Sequence, residues 1–170
     1  METIRVGILT ISDRAARGIY PDESGAILRE RIVEQLGWTV AQYAVVPDEI
    51  EAIQRTLRAW CDGEGLDLIL TTGGTGLGPR DLTPEATRPL LEREAPGIAE
   101  ALRFYSLQHT PFAMLSRGVA GIRGRTLIIN LPGSPRAVRE AMEILGKVLP
   151  HALAILRGET GPAAAHSLQV

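Results

Sequence analysis

Lysine is nearly absent from this 170-residue chain: of 18 basic residues only Lys147 is lysine, and the other 17 are arginine. Lys147 follows Gly146 but precedes Val148, so the G-x-x-x-x-G-K-[ST] phosphate loop is excluded. Cysteine is represented by Cys61 alone, which rules out an internal disulfide and a cysteine-built metal site. No run of about 18 apolar residues is present to form a membrane helix. The N-terminus, METIRVGILTISD, carries charge at Glu2 and Arg5 and has no long apolar core, so it does not read as a secretory signal. A net charge of −2 supplies no basic field for nucleic acid. His109, His151 and His166 are scattered and read as structural or surface residues, and Cys61 as a packing residue. The expectation is a cytoplasmic, soluble protein with neither nucleic-acid nor membrane partners.

What is present is concentrated between Leu66 and Thr87, LDLILTTGGTGLGPRDLTPEAT. The run from Leu66 to Leu70, broken only by Asp67, suits a buried strand of a parallel sheet. Thr71 and Thr72 lead into a turn holding Gly73, Gly74, Thr75, Gly76 and Gly78. Thr83-Pro84-Glu85 then reads as a helix start, with Thr83 as cap and proline in the first turn. Strand, glycines and helix in this order bring backbone N–H groups together on an anion, and the missing Cβ atoms let that backbone approach it. Asp81 stands beside this cradle, and a carboxylate next to phosphate calls for a cation between them. A glycine turn of this kind equally serves as a plain structural connection.

Along the chain, Ile4–Ile11 reads as a strand ending in the polar pair Ser12-Asp13, and Asp22 as the cap of a helix that stops at Gly37. Trp38–Val46 reads as a second strand, followed at Pro47-Asp48-Glu49 by a helix with Ile50, Ile53, Leu57 and Trp60 on one face. The helical region after Thr83 breaks near Pro96-Gly97 and resumes; Pro111–Leu115 reads as either a short strand or a loop. The segment Ser116–Thr126 is polar, with Gly118, Gly121 and Gly124 three apart, and reads as a flexible loop. Thr126–Leu131 is an apolar strand, and a last helix runs from about Pro135 to Leu156, where Leu149, Leu153 and Leu156 cover either the core or a subunit contact. Alternating strands and helices predict an α/β chain: a three-layer α/β/α domain over residues 1–158 with a mostly parallel sheet, then a loosely held tail at 159–170. The loops that follow strands gather on one edge, where such sheets bind ligands. They carry Asp48 and Asp81 together with Ser12, Asp13, the glycine turn and Asn130–Ser134. Each has a plainer role: Asp48 could cap its helix, Asp81 could pair with Arg80, and the arginines could form a solvated face.

The strings VPDE, TTGGTG, PRDLTPEAT, PFAMLSRGVAGIRG and TLIINLPGSPRAV resemble those of the MogA/MoaB family of molybdenum-cofactor proteins, in order from about Ile4 to Leu156. That family includes molybdopterin adenylyltransferases and the matching domain of gephyrin. The resemblance implies the molybdopterin-binding, MogA-like fold and an enzyme that joins molybdopterin to the AMP part of ATP, with Mg²⁺ as cofactor and pyrophosphate released. Carried over position by position, it makes Asp48 and Asp81 the catalytic and metal-holding acids. It makes Gly73, Gly74, Thr75 and Gly76 the glycine turn, and Ser116 the pterin-contacting serine, with Arg117, Gly121 and Arg123 in the same loop. It places Asn130, Pro132, Gly133 and Ser134 on the nucleotide side. It also implies a homotrimer, or a dimer of trimers, that hands its product to a molybdate-insertion protein. Two other readings on this scaffold are a nucleotide pyrophosphate hydrolase and a non-catalytic or paralogous molybdopterin-binding protein.

Overall fold

The computed structural model describes residues 3–159, so the expected tail, apart from Glu159, and His166 lie outside the described residues. Six strands form one sheet in the order β2-β1-β3-β6-β5-β4, with β1 at Arg5–Ile11, β2 at Thr39–Val46, β3 at Leu68–Thr72, β4 at Arg93–Glu94, β5 at Ala120–Arg123 and β6 at Thr126–Leu131. The four strands from β2 to β6 run parallel, whereas β5 and β4 are antiparallel additions on one side. The sheet is therefore mostly parallel, as expected. The helices are α1 (Asp13–Ala16), α2 (Glu23–Glu30), α3 (Ile50–Arg58), α4 (Thr83–Thr87), α5 (Pro96–Leu107) and α6 (Pro135–Leu156). Among the described residues, no helix is long and apolar enough to cross a membrane.

Alternation along the central strands divides the core in two. Val6, Ile8, Leu68, Leu70, Leu127 and Ile129 face α2 and α6, packing against Ile27, Leu28, Met142 and Leu145. Leu9, Ile69 and Ile128 point the other way, onto Ile53, Leu57 and Trp60 from α3 and its π-turn extension, and onto Ala86 of α4. Strands covered on both faces read as continuous apolar runs, which is why β3 and β6 were visible in the sequence. Leu149 and Leu153 of α6 are each 1% exposed and belong to this core, whereas Val148 and Ile155 are exposed.

Two local readings are corrected, and one left open is decided. The region after Thr83 is not one interrupted helix: α4 passes through a 3₁₀ turn at Arg88–Leu90 into the two-residue strand β4 before α5 begins. Pro111–Leu115 is a 3₁₀ turn, capped by the Thr110 hydroxyl. The segment expected to be a flexible glycine loop forms β5 in its middle, paired with both β6 and β4. Gly121 lacks a side chain because a methyl there would lie 2.6 Å from the Arg93 carbonyl oxygen and 2.7 Å from Leu91.

Candidate functional site

Parallel strands bring Ser12, Asp48 and the glycine turn to one edge, and β6 brings Asn130–Ser134 to the same edge. Gly73 adopts φ +102° and Gly74 φ +66°, a region that side chains disfavour. A methyl on Gly73 would also meet the Ile11 carbonyl oxygen at 2.2 Å. The turn is stapled from both sides. Thr83 does not cap its helix; its hydroxyl donates to the Gly73 carbonyl at 2.8 Å, and its N–H donates to the Gly74 carbonyl at 3.0 Å. Thr72 donates to the Pro132 carbonyl and Ser24 to the Gly133 carbonyl, each at 2.7 Å, so the loop after β6 is pinned against the turn.

Four acidic and basic groups ring the turn. Asp48 lies next to Gly74, since a methyl there would come within 3.2 Å of Asp48 Oδ1. Asp81 lies against Gly76 and Gly78, 2.8 Å from where a methyl on either would be. The Gly78 N–H donates to Asp81 Oδ2 at 2.8 Å. Asp13 accepts from Arg80 Nε at 2.6 Å and Nη2 at 3.1 Å, so Arg80 pairs with Asp13 and not with its neighbour Asp81. The hydrogen bond from Arg80 holds the Asp13 carboxyl below its ordinary range, against the opposing effect of desolvation. Asp48 is pushed up, chiefly by burial and further by the charges of Asp13 and Asp81. Asp48 does not cap α3; its Oδ2 accepts from the Asp13 N–H.

A cavity of about 390 Å³ opens beside this turn. It is lined by Gly74, Thr75, Gly76 and Asp81, by Ser116 and Gly118, and by Pro132, Gly133 and Ser134, with Leu102, Phe112 and Leu115 as apolar wall. Ser134 caps α6, its hydroxyl accepting from the Ala137 N–H at 3.1 Å, so the positive end of a 22-residue helix opens on the cavity. A second cavity of about 330 Å³ lies across the turn, lined by Ser12, Asp22, Ser24, Gly73 and Gly133. Gly133 borders both.

Not every expected binding residue has donors to spare. Arg117 is used inside the protein: it donates to the Gly76 carbonyl at 2.7 Å and the Asp81 carbonyl at 2.6 Å, and pairs with Glu85. It holds the turn in shape. Arg123 forks onto Asp62 at 3.0 and 2.8 Å and borders neither cavity, and Gly121 sits within β5. Asn130 reaches the larger cavity, but its amide is committed to Thr71, Thr87 and the Val119 N–H. Two lining residues escaped the sequence reading. Arg103 of α5 donates to the carbonyls of Ser116 and Gly118, and Glu140 of α6 is only 8% exposed. The readable signal was a carboxylate set within the buried stripe Val138, Ala141, Met142, Leu145.

Among the described residues, no three His, Cys, Asp or Glu side chains assemble as a complete metal cage. Mg²⁺ does not need one: it takes one or two carboxylates and completes its shell with water and substrate phosphates. Asp48 and Asp81, with negative charge gathered around a half-buried carboxyl, fit that requirement.

Known proteins resemble this chain in sequence and fold. A molybdopterin adenylyltransferase of Helicobacter pylori strain J99 is 43% identical over 159 residues, covering 93% of this chain and 90% of that protein. The molybdenum cofactor synthesis protein cinnamon of Drosophila melanogaster is 49% identical over 92% of this chain, which spans only 26% of the fly protein. The crystal structure of the molybdopterin biosynthesis enzyme MoaB from Thermus thermophilus matches with a TM-score of 0.86 at 57% identity, covering 92% of this chain and 98% of that one. Residues 7–151 match the family model described as "Probable molybdopterin binding domain", and the chain belongs to that family, within its MogA/MoaB branch.

Proposed function

We propose that this protein is a cytoplasmic molybdopterin adenylyltransferase, joining the terminal phosphate of molybdopterin to the AMP moiety of ATP. The observation that carries the reading is the glycine turn between two cavities that meet at Gly133, with Asp81 lining the larger one and Asp48 beside Gly74. Two substrates need two adjoining sites, and the larger cavity goes to the pterin because Ser116 lines it, the smaller to the nucleotide. Asn130, Pro132 and Ser134, expected on the nucleotide side, line the larger cavity and so fall to the pterin side in this reading, while Gly133 borders both. A pterin-phosphate oxygen attacks the α-phosphorus, a new P–O bond forms, the α–β bridge breaks, and pyrophosphate leaves. Such a transfer needs positioning and charge neutralisation more than a nucleophilic side chain. Backbone N–H groups of the turn and the α6 N-terminus hold phosphate oxygens, and Ser116 adds a hydroxyl at the cavity wall. Asp48 and Asp81 would hold Mg²⁺, which when bound supplies charge neutralisation on the phosphates. Arg80 already pairs with Asp13, whereas the charged form of Asp48 is disfavoured by burial and by the neighbouring carboxylates, so Asp48 is the acid a cation would relieve.

Relatives named molybdopterin adenylyltransferase support the activity, and a homotrimer, single or doubled, is the assembly we propose. Light scattering over a range of concentrations that shows only monomer would remove the trimer. The activity is tested by incubating the purified protein with molybdopterin, ATP and Mg²⁺ and following pyrophosphate. Release is expected only with all three present. Release from ATP alone would favour a pyrophosphate hydrolase, and pterin binding without release a carrier protein.

A further inference from the structure

The larger cavity contains a carboxylate that phosphate transfer does not use. Glu140 lines it between Ala137 and Ala141 on α6, opposite Ala99 and Leu102 of α5. Its recorded partner is Arg136 one turn earlier, whose Nε donates to Oε1 at 3.0 Å. The Arg136 side chain is 72% exposed, while that of Glu140 is 10% exposed, so the arginine stays in solvent while the acid lies against the cavity wall. Placing a carboxylate among small apolar groups is unfavourable unless donors meet it. Each oxygen accepts more than one hydrogen bond, so the group retains capacity for a ligand.

The ligand edge that satisfies such a group has two adjacent N–H donors. The 2-amino-4-oxo ring of a pterin presents N3–H beside the 2-amino group, a pair that forks onto one carboxylate. Adenine presents its amino group beside a bare ring nitrogen, whose lone pair would oppose a carboxylate oxygen. We propose that Glu140 reads the 2-amino-4-oxo edge of the pterin and makes this cavity selective for the pterin head over adenine. The inference rests on the adenylyltransferase reading and adds the residue that sorts its two substrates.

Fluorescence titration with 6-hydroxymethylpterin and 6-hydroxymethyllumazine tests it, because the two rings differ only in a 2-amino against a 2-oxo group. The wild-type protein is expected to bind the pterin at least about tenfold tighter, one well-paired donor being worth roughly that factor. Glu140→Gln, offering one acceptor and one donor, is expected to erase or invert the preference. Glu140→Asp, with the same charge on a shorter arm, is expected to keep its direction with weaker binding. Thermal melts confirm that each variant is folded, and the wild-type comparison stands without them. Equal wild-type affinities, binding of neither ring, or an unchanged preference in folded Glu140→Gln overturns the proposal. Pyrophosphate release is measured in parallel. Release with equal ring affinities sinks the Glu140 assignment and spares the adenylyltransferase reading. A ring preference without release does the reverse.

Discussion

Asp13 and Asp48 hold each other through reciprocal hydrogen bonds: the Asp13 N–H donates to Asp48 Oδ2 at 2.8 Å, and the Asp48 N–H to Asp13 Oδ1 at 3.0 Å. The bonds tie the end of β1 to the end of β2 and place two acids in one neighbourhood. Arg80 neutralises one of them, so the pair is asymmetric: among the described residues, Asp13 carries an arginine partner and Asp48 has only the Asp13 backbone N–H.

Asp81→Asn and Asp48→Asn keep the shape and the accepting oxygen of each side chain while removing its charge. Pyrophosphate release should fall by at least about a hundredfold, since metal-assisted neutralisation supplies several kcal/mol. Thermal melts should remain near wild type. Wild-type rates in folded variants would remove both acids from the chemistry.

Gly73→Ala and Gly76→Ala should separate folding from function. At Gly73 the methyl meets backbone, the Ile11 carbonyl oxygen at 2.2 Å, and φ is positive, so a loss of about 2 kcal/mol or more in stability is expected. At Gly76 the methyl meets only the Asp81 carboxylate, at 2.8 Å, which can move. Gly76→Ala should melt normally and turn over at least about tenfold more slowly, because small displacements of positioning groups carry penalties of that order. Denaturant melts beside rate measurements check both, and equal behaviour of the two variants would contradict the contrast.

Asn130→Ala should act through stability. It strips the Val119 N–H of its side-chain acceptor and the hydroxyls of Thr71 and Thr87 of a shared donor, all buried. A cost of about 2–3 kcal/mol is expected, lowering Tm by roughly 4–12 °C in a chain of this size. An unchanged Tm with lost nucleotide binding would instead make the amide a ligand contact.

At the opposite edge of the sheet, Asp67 accepts from Arg157 at 2.9 and 2.8 Å and from the Arg5 N–H at 2.8 Å. Desolvation works to raise its pKa, yet these partners outweigh it and hold the carboxyl below its ordinary range. A depressed folded-state pKa means stabilisation that is complete above the unfolded value, about 4, and is lost as pH falls through the lower folded value. Asp67→Asn should therefore be less stable than wild type by about 2 kcal/mol at pH 7. The gap should close as melts are taken down towards about pH 2, and a constant gap would show that the charge contributes nothing.

Residues whose role is set by near neighbours were legible. Thr126–Leu131 and Pro135–Leu156 were read with the bounds the structure gives, because an apolar run and a proline-initiated amphipathic stripe are local signals. β5 was not, since the glycines in and around it, three apart, look like a loop until Leu91 before β4 and the Arg93 carbonyl within β4 crowd Gly121. The acids that occupy Arg117 and Arg123 lie 32 and 61 positions away in sequence. No local pattern distinguishes such an arginine from one waiting for a phosphate. Asp48 and Asp81 do lie beside the glycine turn, yet their plainer roles were misjudged: the structure uses Asp48 to bridge two strands and Asp81 to close a turn.

β6 is the last strand in sequence yet lies between β3 and β5. As the chain leaves the ribosome, β1, β2 and β3 can pair in turn, whereas β5 and β4 have no berth until β6 has been made. Until then the open side of β3, with the wholly buried sequence Leu-Ile-Leu-Thr-Thr, is an unpaired template for any other extended segment. The loops that will meet across the glycine turn are held apart for the same interval, because the Asn130–Ser134 segment follows β6. A chain cut anywhere before Leu131 therefore lacks half of its candidate site and also exposes the edge most prone to association.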